Sequence, residues 1–479
     1  MMNNVTPESS RIDQILNWLY GRINYEHQIN VAPRSFKLQN MRELLRLLGN
    51  PHEDYAIVHV AGTKGKGSVT SMVGNILSYS GQQTGIYTSP HLESIHQRMV
   101  IGNRPISDHQ LADVLEMIRP IVEELDRESR QSGRRKVTFF EITTAAALLH
   151  FSRQKCDSAV LEVGLGGRLD STNVCQPAVC VITSISIDHT RQLGSTVEKI
   201  AFEKAGIIKP GVPIVSGVRD LAAAEVIRNV AADQDAKLLA VDDAFHWEES
   251  DSGFRCHGNL FDADIGKFDL ENLKLQMIGS HQKNNAAITV ATCQVLSSLG
   301  WSLSDSDIRR GLWSTKLPGR TEVVNGNPTF VLDVAHNVAS VKVLVKSLKN
   351  ELKGWGEYSP KILICAFSRE KNIGGMLQQL IPHFDLVIIT KYQSNPRGVD
   401  AKEAFELACA VVSEDADVIY GQKKEQANDR CRILIEETPA DALDLALAES
   451  GQSFICITGS VFLVAELRQP VLNLAKSSP

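Results

Sequence analysis

Residues Gly62-Thr63-Lys64-Gly65-Lys66-Gly67-Ser68 combine three glycines, two lysines and a terminal hydroxyl in seven positions. Glycine lets a backbone approach an anion closely, amide N–H groups and a helix N-terminus favour negative charge, and a lysine adds a full positive charge. That chemistry suits a phosphate chain, with Lys66 on the phosphates and the Ser68 hydroxyl on a Mg²⁺ ion. The motif departs from the general P-loop pattern, because Gly67 stands between the lysine and the hydroxyl.

The flanking residues supply the required geometry. Tyr55–Val60 is an apolar run that reads as a buried strand, and Val69, Met72, Val73, Ile76 and Leu77 recur at helical spacing before Gly81. Other clusters with chemical potential follow strands in the same way. Glu162 sits at the carboxyl end of the run Ser158–Val163 and opens Glu162-Val-Gly-Leu-Gly-Gly-Arg-Leu-Asp-Ser-Thr-Asn173. A carboxylate at the carboxyl end of a strand in an open α/β sheet is well placed for Mg²⁺, which prefers hard oxygen ligands. Asp188-His189 lies just past the strand Val179–Thr183, where His189 is either structural or a metal ligand. Glu203-Lys204-Ala-Gly206 closes a helix, and on the residues alone it also suits an ordinary C-terminus with a lysine balancing the dipole. Gly319-Arg320 and Asp333-Val-Ala-His336-Asn337 open the second half, Asp333 and His336 at the end of its first strand.

Strands alternate with helices through most of the chain, which predicts an α/β fold with a doubly wound, mostly parallel sheet. Helices are expected at 11–30, 40–49, 107–130, 139–152, 195–205 and 282–300, with a charged loop over 127–136. Residues 239–275 break the rhythm and read as a small β-rich insertion. After the Pro318-Gly319 junction, strands are expected at 329–334, 361–366, 386–390, 418–420 and 453–458. Helices are expected there at 339–352, 372–382, 401–413, 424–436 and 438–449. These form a second, Rossmann-like α/β domain. The expected division is 1–316 and 317–479.

With 479 residues, 43% hydrophobic and 22% charged, the composition is that of an ordinary globular protein, and a formal charge of −6 argues against a nucleic-acid scaffold. No apolar run spans a bilayer. The nine cysteines are scattered without a C-x-x-C pair, which points to buried thiols and a reducing, cytoplasmic setting.

Taken in order, these motifs make the chain resemble the folylpolyglutamate synthase/dihydrofolate synthase family of the Mur ligase superfamily. The resemblance also rests on Thr88-Ser-Pro-His-Leu92, Arg98–Ser107, Phe139-Phe-Glu141, His281-Gln282 with Asn285, Asn395-Pro-Arg397 and Thr458-Gly-Ser460. It implies an ATP-dependent ligase that activates a pteroate or folyl carboxylate as an acyl phosphate and joins it to L-glutamate. The family's roles fall on Gly62, Thr63, Lys64, Gly65, Lys66, Gly67, Ser68, Asn285, Arg320 and Asp333 for ATP. Ser68, Glu162, His189 and Lys204 would hold two Mg²⁺ ions, Lys204 as a carbamylated lysine. Lys66, Lys204 and His336 would act in catalysis, and Ser89, Pro90, His91 and Ser460 would face substrate. A monomer whose two domains close over the site is implied, with folate or dihydropteroate, L-glutamate and ATP as partners and neither nucleic acid nor membrane. A cell-wall-type Mur ligase and an ATP-dependent switch without ligase activity are the competing readings. Val334 and Val338 replace the family's usual Gly and Pro around His336, and Arg369-Glu-Lys371-Asn372 replaces its Asp-Lys-Asp.

Overall fold

The computed structural model describes residues 7–24, 38–132, 135–250, 253–260, 266–412, 431–451 and 454–477. The chain divides into two compact units, Met1–Leu275 with His281–Thr315, and Gln276–Ser280 with Lys316–Pro479.

The first unit is built on an eight-stranded sheet. Its strands are β1 (Ala56–Ala61), β2 (Thr84–Tyr87), β3 (Met99–Ile101), β4 (Arg104–Pro105), β5 (Ser158–Glu162), β6 (Val179–Ile182), β7 (Ile214–Ser216) and β8 (Leu238–Ala240), in the order β4-β3-β2-β5-β1-β6-β7-β8. β2, β5, β1, β6, β7 and β8 run parallel, whereas β3 and β4 form an antiparallel edge. Helices α1 (Pro7–Tyr20), α2 (Gln39–Leu47), α3 (Lys66–Tyr79), α4 (Asp108–Ser132), α5 (Phe139–Arg153), α6 (Thr190–Leu193), α7 (Val197–Ala205), α8 (Leu221–Asp233), α9 (Ser280–Ser298) and α10 (Asp305–Ser314) surround it. Ile57, Ala159 and Leu161 pack in one cluster with residues of α1, α2, α4 and α5. The intervening Val58, Val60 and Val160 are equally buried, and α3 packs on β1 and β5. Burial on both faces is why these strands read as continuous apolar runs. α5 enters this core almost whole. Its start is fixed by a capping box between Thr138 and Glu141, and Arg135 braces the Glu141 carboxylate at 2.6 and 2.7 Å.

The β-rich insertion is a three-stranded antiparallel sheet of β9 (Phe245–Ser250), β10 (Gly253–Asn259) and β11 (Lys267–Leu273). Its expected start at 239 is corrected, since residues 238–240 pair with β7 as the last strand of the large sheet. The charged loop expected over 127–136 is also corrected. α4 continues to Ser132, its charges forming i,i+3 and i,i+4 pairs such as Arg127–Glu124 and Arg119–Glu123. The first helix ends at Tyr20, short of the expected 30, and residues 25–30 lie outside the described residues.

The second unit carries a six-stranded sheet, β12 (Glu322–Val324), β13 (Thr329–Leu332), β14 (Lys361–Cys365), β15 (Leu386–Ile389), β16 (Arg432–Ile435) and β17 (Phe454–Thr458), in the order β12-β13-β17-β14-β15-β16. Only β12 is antiparallel. α11 (Val338–Glu351), α12 (Ile373–Leu380) and α13 (Ala401–Val412) share one apolar cluster with this sheet, and α14 (Pro439–Ser450) and α15 (Val461–Ser477) pack on β14 and β17. The strand expected at 418–420 lies outside the described residues. The helix expected at 424–436 is overturned where it is described, because Arg432–Ile435 pairs with Leu386–Ile389. Ile433 and Ile435 are β-branched and favour an extended backbone, and the sheet edge beside β15 accepts the segment and buries Ile433.

Candidate active site

The seven-residue glycine turn leads from β1 into α3 as the sequence predicts. The first intrahelical bond of α3 runs from Val69 N–H to Gly65 O at 3.0 Å, so the amides of residues 66–68 have no partner within the helix. Gly62 and Gly65 adopt φ +148° and +84°, conformations that L side chains rarely take. Space forbids side chains there as well. A Cβ on Gly62 would meet Thr183 Oγ1 at 1.9 Å, and one on Gly65 would meet Asn285 Oδ1 at 2.3 Å. Thr63 N–H donates to Ser184 O at 2.7 Å, and Thr183 and Ser184 hydroxyls both donate to Lys64 O. The end of β6 therefore grips the turn from one side. Asn285, fixed by donating to Gln282 Oε1 at 3.0 Å, covers it from α9.

Glu162 ends β5 and is nearly buried, with its carboxylate 3.4 Å from where a Cβ on Gly67 would stand. Oε2 accepts from Ser89 N–H at 3.1 Å, which ties the Ser89-Pro90-His91 loop to the phosphate loop. Ser89–Pro90 is a cis peptide. His91 Nδ1 accepts from the buried Arg98 Nε at 2.8 Å, and that guanidinium stacks over Phe139.

Below Glu162, the loop to Asn173 is held by a buried Asp170. Its carboxylate accepts from Leu165 N–H, Thr172 N–H and Thr172 Oγ1 at 2.9, 3.0 and 2.6 Å. Burial raises its pKa, and those bonds and Lys66 oppose the rise. His59 of β1 meets Thr172 Oγ1 at 2.8 Å from beneath, and complete burial lowers its pKa to about 3. Sequence reasoning did not select His59, Asp170 or Thr183, whereas Gln282 belongs to the His281-Gln282 motif that it quoted. Asp170 at least stands inside a motif that it singled out.

Lys204 lies in the last turn of α7, yet its amine is buried and donates to Gly62 O at 2.8 Å. Burial first, then Lys66, lowers its pKa to about 7, against the pull of Asp188 and Asp170. One small pocket is lined by Gly62, Lys66, Asp188, His189 and Lys204 among others. His189 there takes φ +47°, with an exposed ring and its backbone N–H donating to Asp188 Oδ1. The 162–173 loop and the 203–207 turn meet glycine to glycine. A Cβ on Gly167 would lie 2.8 Å from Glu203 O and Lys204 O, and one on Gly206 would lie 2.3 Å from Arg168 Cβ.

Among the described residues no group of three or more His, Cys, Asp or Glu could hold a metal by itself. Mg²⁺ in phosphate sites needs no such cage, since it keeps waters and shares phosphate oxygens with one or two carboxylates. The nearly buried Glu162 and Ser68, flanking Gly67, form a donor set of that kind.

In the second unit, Asp333 follows β13 with both oxygens engaged. Thr321 N–H and Oγ1 donate at 2.7 and 3.0 Å, and Ala335 N–H donates at 2.8 Å. His336 Nδ1 lies 2.9 Å from Val334 O, and Asn337 caps α11. Gly319, at φ +69°, precedes the exposed Arg320. Ser460 is buried at the start of α15, beside the Ser368–Tyr392 hydroxyl pair.

The Mur ligase middle domain family matches residues 60–293, and the dihydrofolate synthetase C-terminal domain family matches residues 316–473. The Bacillus subtilis dihydrofolate synthase/folylpolyglutamate synthase is 32% identical over 459 residues, covering 95% of this chain and 97% of that protein. The chain belongs to the folylpolyglutamate synthase/dihydrofolate synthase family. Among solved structures of this family, Mycobacterium tuberculosis folylpolyglutamate synthase complexed with ADP and AMPPCP superposes with TM-score 0.80 at 30% identity, over 97% of this chain and 99% of that one. E. coli FolC in complex with DHPP and ADP superposes with TM-score 0.76 at 26% identity, over 98% and 99%. No helix among the described residues is long and apolar enough to cross a membrane.

Proposed function

We propose that this protein is an ATP-dependent ligase that joins L-glutamate to folates and to dihydropteroate through an acyl phosphate, acting as a monomer. The observation that carries the reading is the convergence of Lys66, Glu162 and the buried Lys204 amine around one glycine turn, in a chain whose relatives carry both activities. Amide formation from a free carboxylate is uphill in water, so the carboxylate must first be phosphorylated. The amides of residues 66–68 and the Lys66 ammonium receive the phosphate chain and neutralise charge that builds on the transferred phosphoryl group. Mg²⁺ held by Ser68 and Glu162 would supply further charge neutralisation on the phosphate oxygens. Ser89 N–H fixes the Glu162 carboxylate and couples it to the loop proposed to face the pterin. The glutamate amine then attacks the acyl carbonyl, phosphate leaves and an amide remains.

Lys204 fits carbamylation. An amine takes up CO₂ only through its free lone pair, and a pKa lowered to about 7 leaves much of it neutral at physiological pH. The resulting carbamate would offer oxygen to a second Mg²⁺ with His189. Arg320, Asp333, His336 and Asn285 are the remaining nucleotide-contacting residues of this proposal, and Ser460 is assigned to the substrate.

The test is ADP release by the purified protein with ATP, Mg²⁺ and L-glutamate, with dihydropteroate or tetrahydrofolate in parallel and products weighed by mass spectrometry. Turnover with both supports the proposal, and turnover with one narrows it to that activity. Silence with both rejects it in favour of a cell-wall-type ligase or a switch. Lys204→Ala should lower turnover on the order of 10²-fold, a loss that bicarbonate does not restore and a small carboxylic acid partly does. Full activity in that variant would reject the carbamate role.

A further inference from the structure

Outside the site described above, a concentration of positive charge lies on the second unit. Lys342, Lys346 and Lys349 of α11, with Asn350, Gln379 of α12 and His383, line a groove of about 290 Å³. Every polar side chain on this rim is a cation, an amide or an imidazole. No ion pair or hydrogen bond joins any of the three lysine side chains to another described residue. The protein as a whole carries a net charge of −6, so the groove runs against the average.

Helix economics do not explain the arrangement. Like charges at i,i+4 and i,i+3 repel one another and destabilise a helix. Lys349 gains from the negative end of the helix dipole, but Lys342, the fifth residue of α11, does not. An anionic occupant removes that repulsion. The groove is near the lower limit of small-molecule pockets, which suits a short stretch of an extended chain rather than a whole cofactor.

The lysine spacing indicates which chain. Four and three residues of helix put the ammonium stems about 6 Å and 4.5 Å apart along the axis. A γ-linked glutamate repeat, an extended residue lengthened by two methylenes, presents one free α-carboxylate roughly every 6 Å. The phosphates of a linear polyphosphate are more closely spaced than the lysines.

We propose that the α11–α12 groove is a secondary binding site for a poly-γ-glutamate chain, read through its α-carboxylates by Lys342, Lys346 and Lys349. This rests on the reading of the protein as a folate-glutamate ligase, whose products carry that chain. The groove retains the tail of a long-chain product, independently of the pterin.

The probe is fluorescein-labelled γ-pentaglutamate lacking any pteridine, titrated by anisotropy against the full-length protein and its Lys342→Glu/Lys346→Glu variant. Both substituted positions are exposed, and circular dichroism confirms that the variant folds. The expected result is binding to wild type that weakens at least about tenfold in the variant and falls as salt rises. Equal binding by the two proteins overturns the proposal. So does displacement of the peptide by tripolyphosphate at lower concentration than by unlabelled γ-pentaglutamate, which marks a phosphate site. Ligase turnover with monoglutamyl tetrahydrofolate is measured separately and stays unchanged in the variant. Peptide binding needs no turnover, so failure of the ligase reading and failure of the groove register in different assays.

Discussion

Gly167→Ala tests the idea that the Glu162 loop and the Lys204 turn must lie in backbone contact. The added Cβ would stand 2.8 Å from both Glu203 O and Lys204 O, whereas ordinary contact begins at 3.4 Å. Both obstacles are main-chain atoms, so no rotamer change relieves them, and the two segments must separate by about half an ångström. Overpacking of this kind costs about 1–3 kcal/mol. The catalytic effect is larger in proportion, because a displacement of about 1 Å at a positioned group is worth about 10²-fold in rate, making roughly tenfold the expectation here. The assays are a thermal melt and ADP release with tetrahydrofolate and glutamate. Gly356→Ala is the control, since its Cβ would meet nothing within 4 Å. A Gly167→Ala protein within about twofold of wild-type kcat/KM and with an unshifted melt would refute the reasoning.

Two further outcomes follow from buried polar groups. His59 titrates at about 3 in the folded protein because it is fully buried, against about 6.5 when unfolded. The unfolded chain therefore binds the proton first, and stability present above pH 6.5 is lost as pH falls toward 3, about 2 kcal/mol of it between pH 7 and pH 5. Urea midpoints at those two pH values should show His59→Gln to be less acid-sensitive by that amount, and an unchanged slope counts against it. Asp333→Asn replaces one carboxylate acceptor with an NH₂ donor facing an N–H of Thr321 or Ala335 and should cost about 1–3 kcal/mol in a urea titration. An unshifted midpoint would mean that the loop before His336 does not depend on those three bonds.

Local elements whose chemistry is contiguous could be read directly along the chain. The strand, glycine turn and helix around Gly62–Ser68 need only φ > 0 at glycines, an apolar strand and a periodic helix, all visible within 25 residues. Glu162 at a strand end and the β-rich insertion were legible for the same reason. Features that depend on partners far along the chain emerged only on packing. Arg432–Ile435 became a strand because β15 offered an open edge, although its neighbourhood carries a helical pattern. Gly65 owes its second reason for being glycine to Asn285, 220 positions away. The Lys204 motif suits a helix end on paper, but folding delivers the amine to Gly62 O, in a buried place where its charge is costly and its neutral form is favoured. His59 looked like one more residue of an apolar strand until the 162–173 loop closed over it and gave it Thr172 as a partner. Burial is a property of the packed chain, so the groups whose reactivity burial sets are the ones that spacing could not reveal.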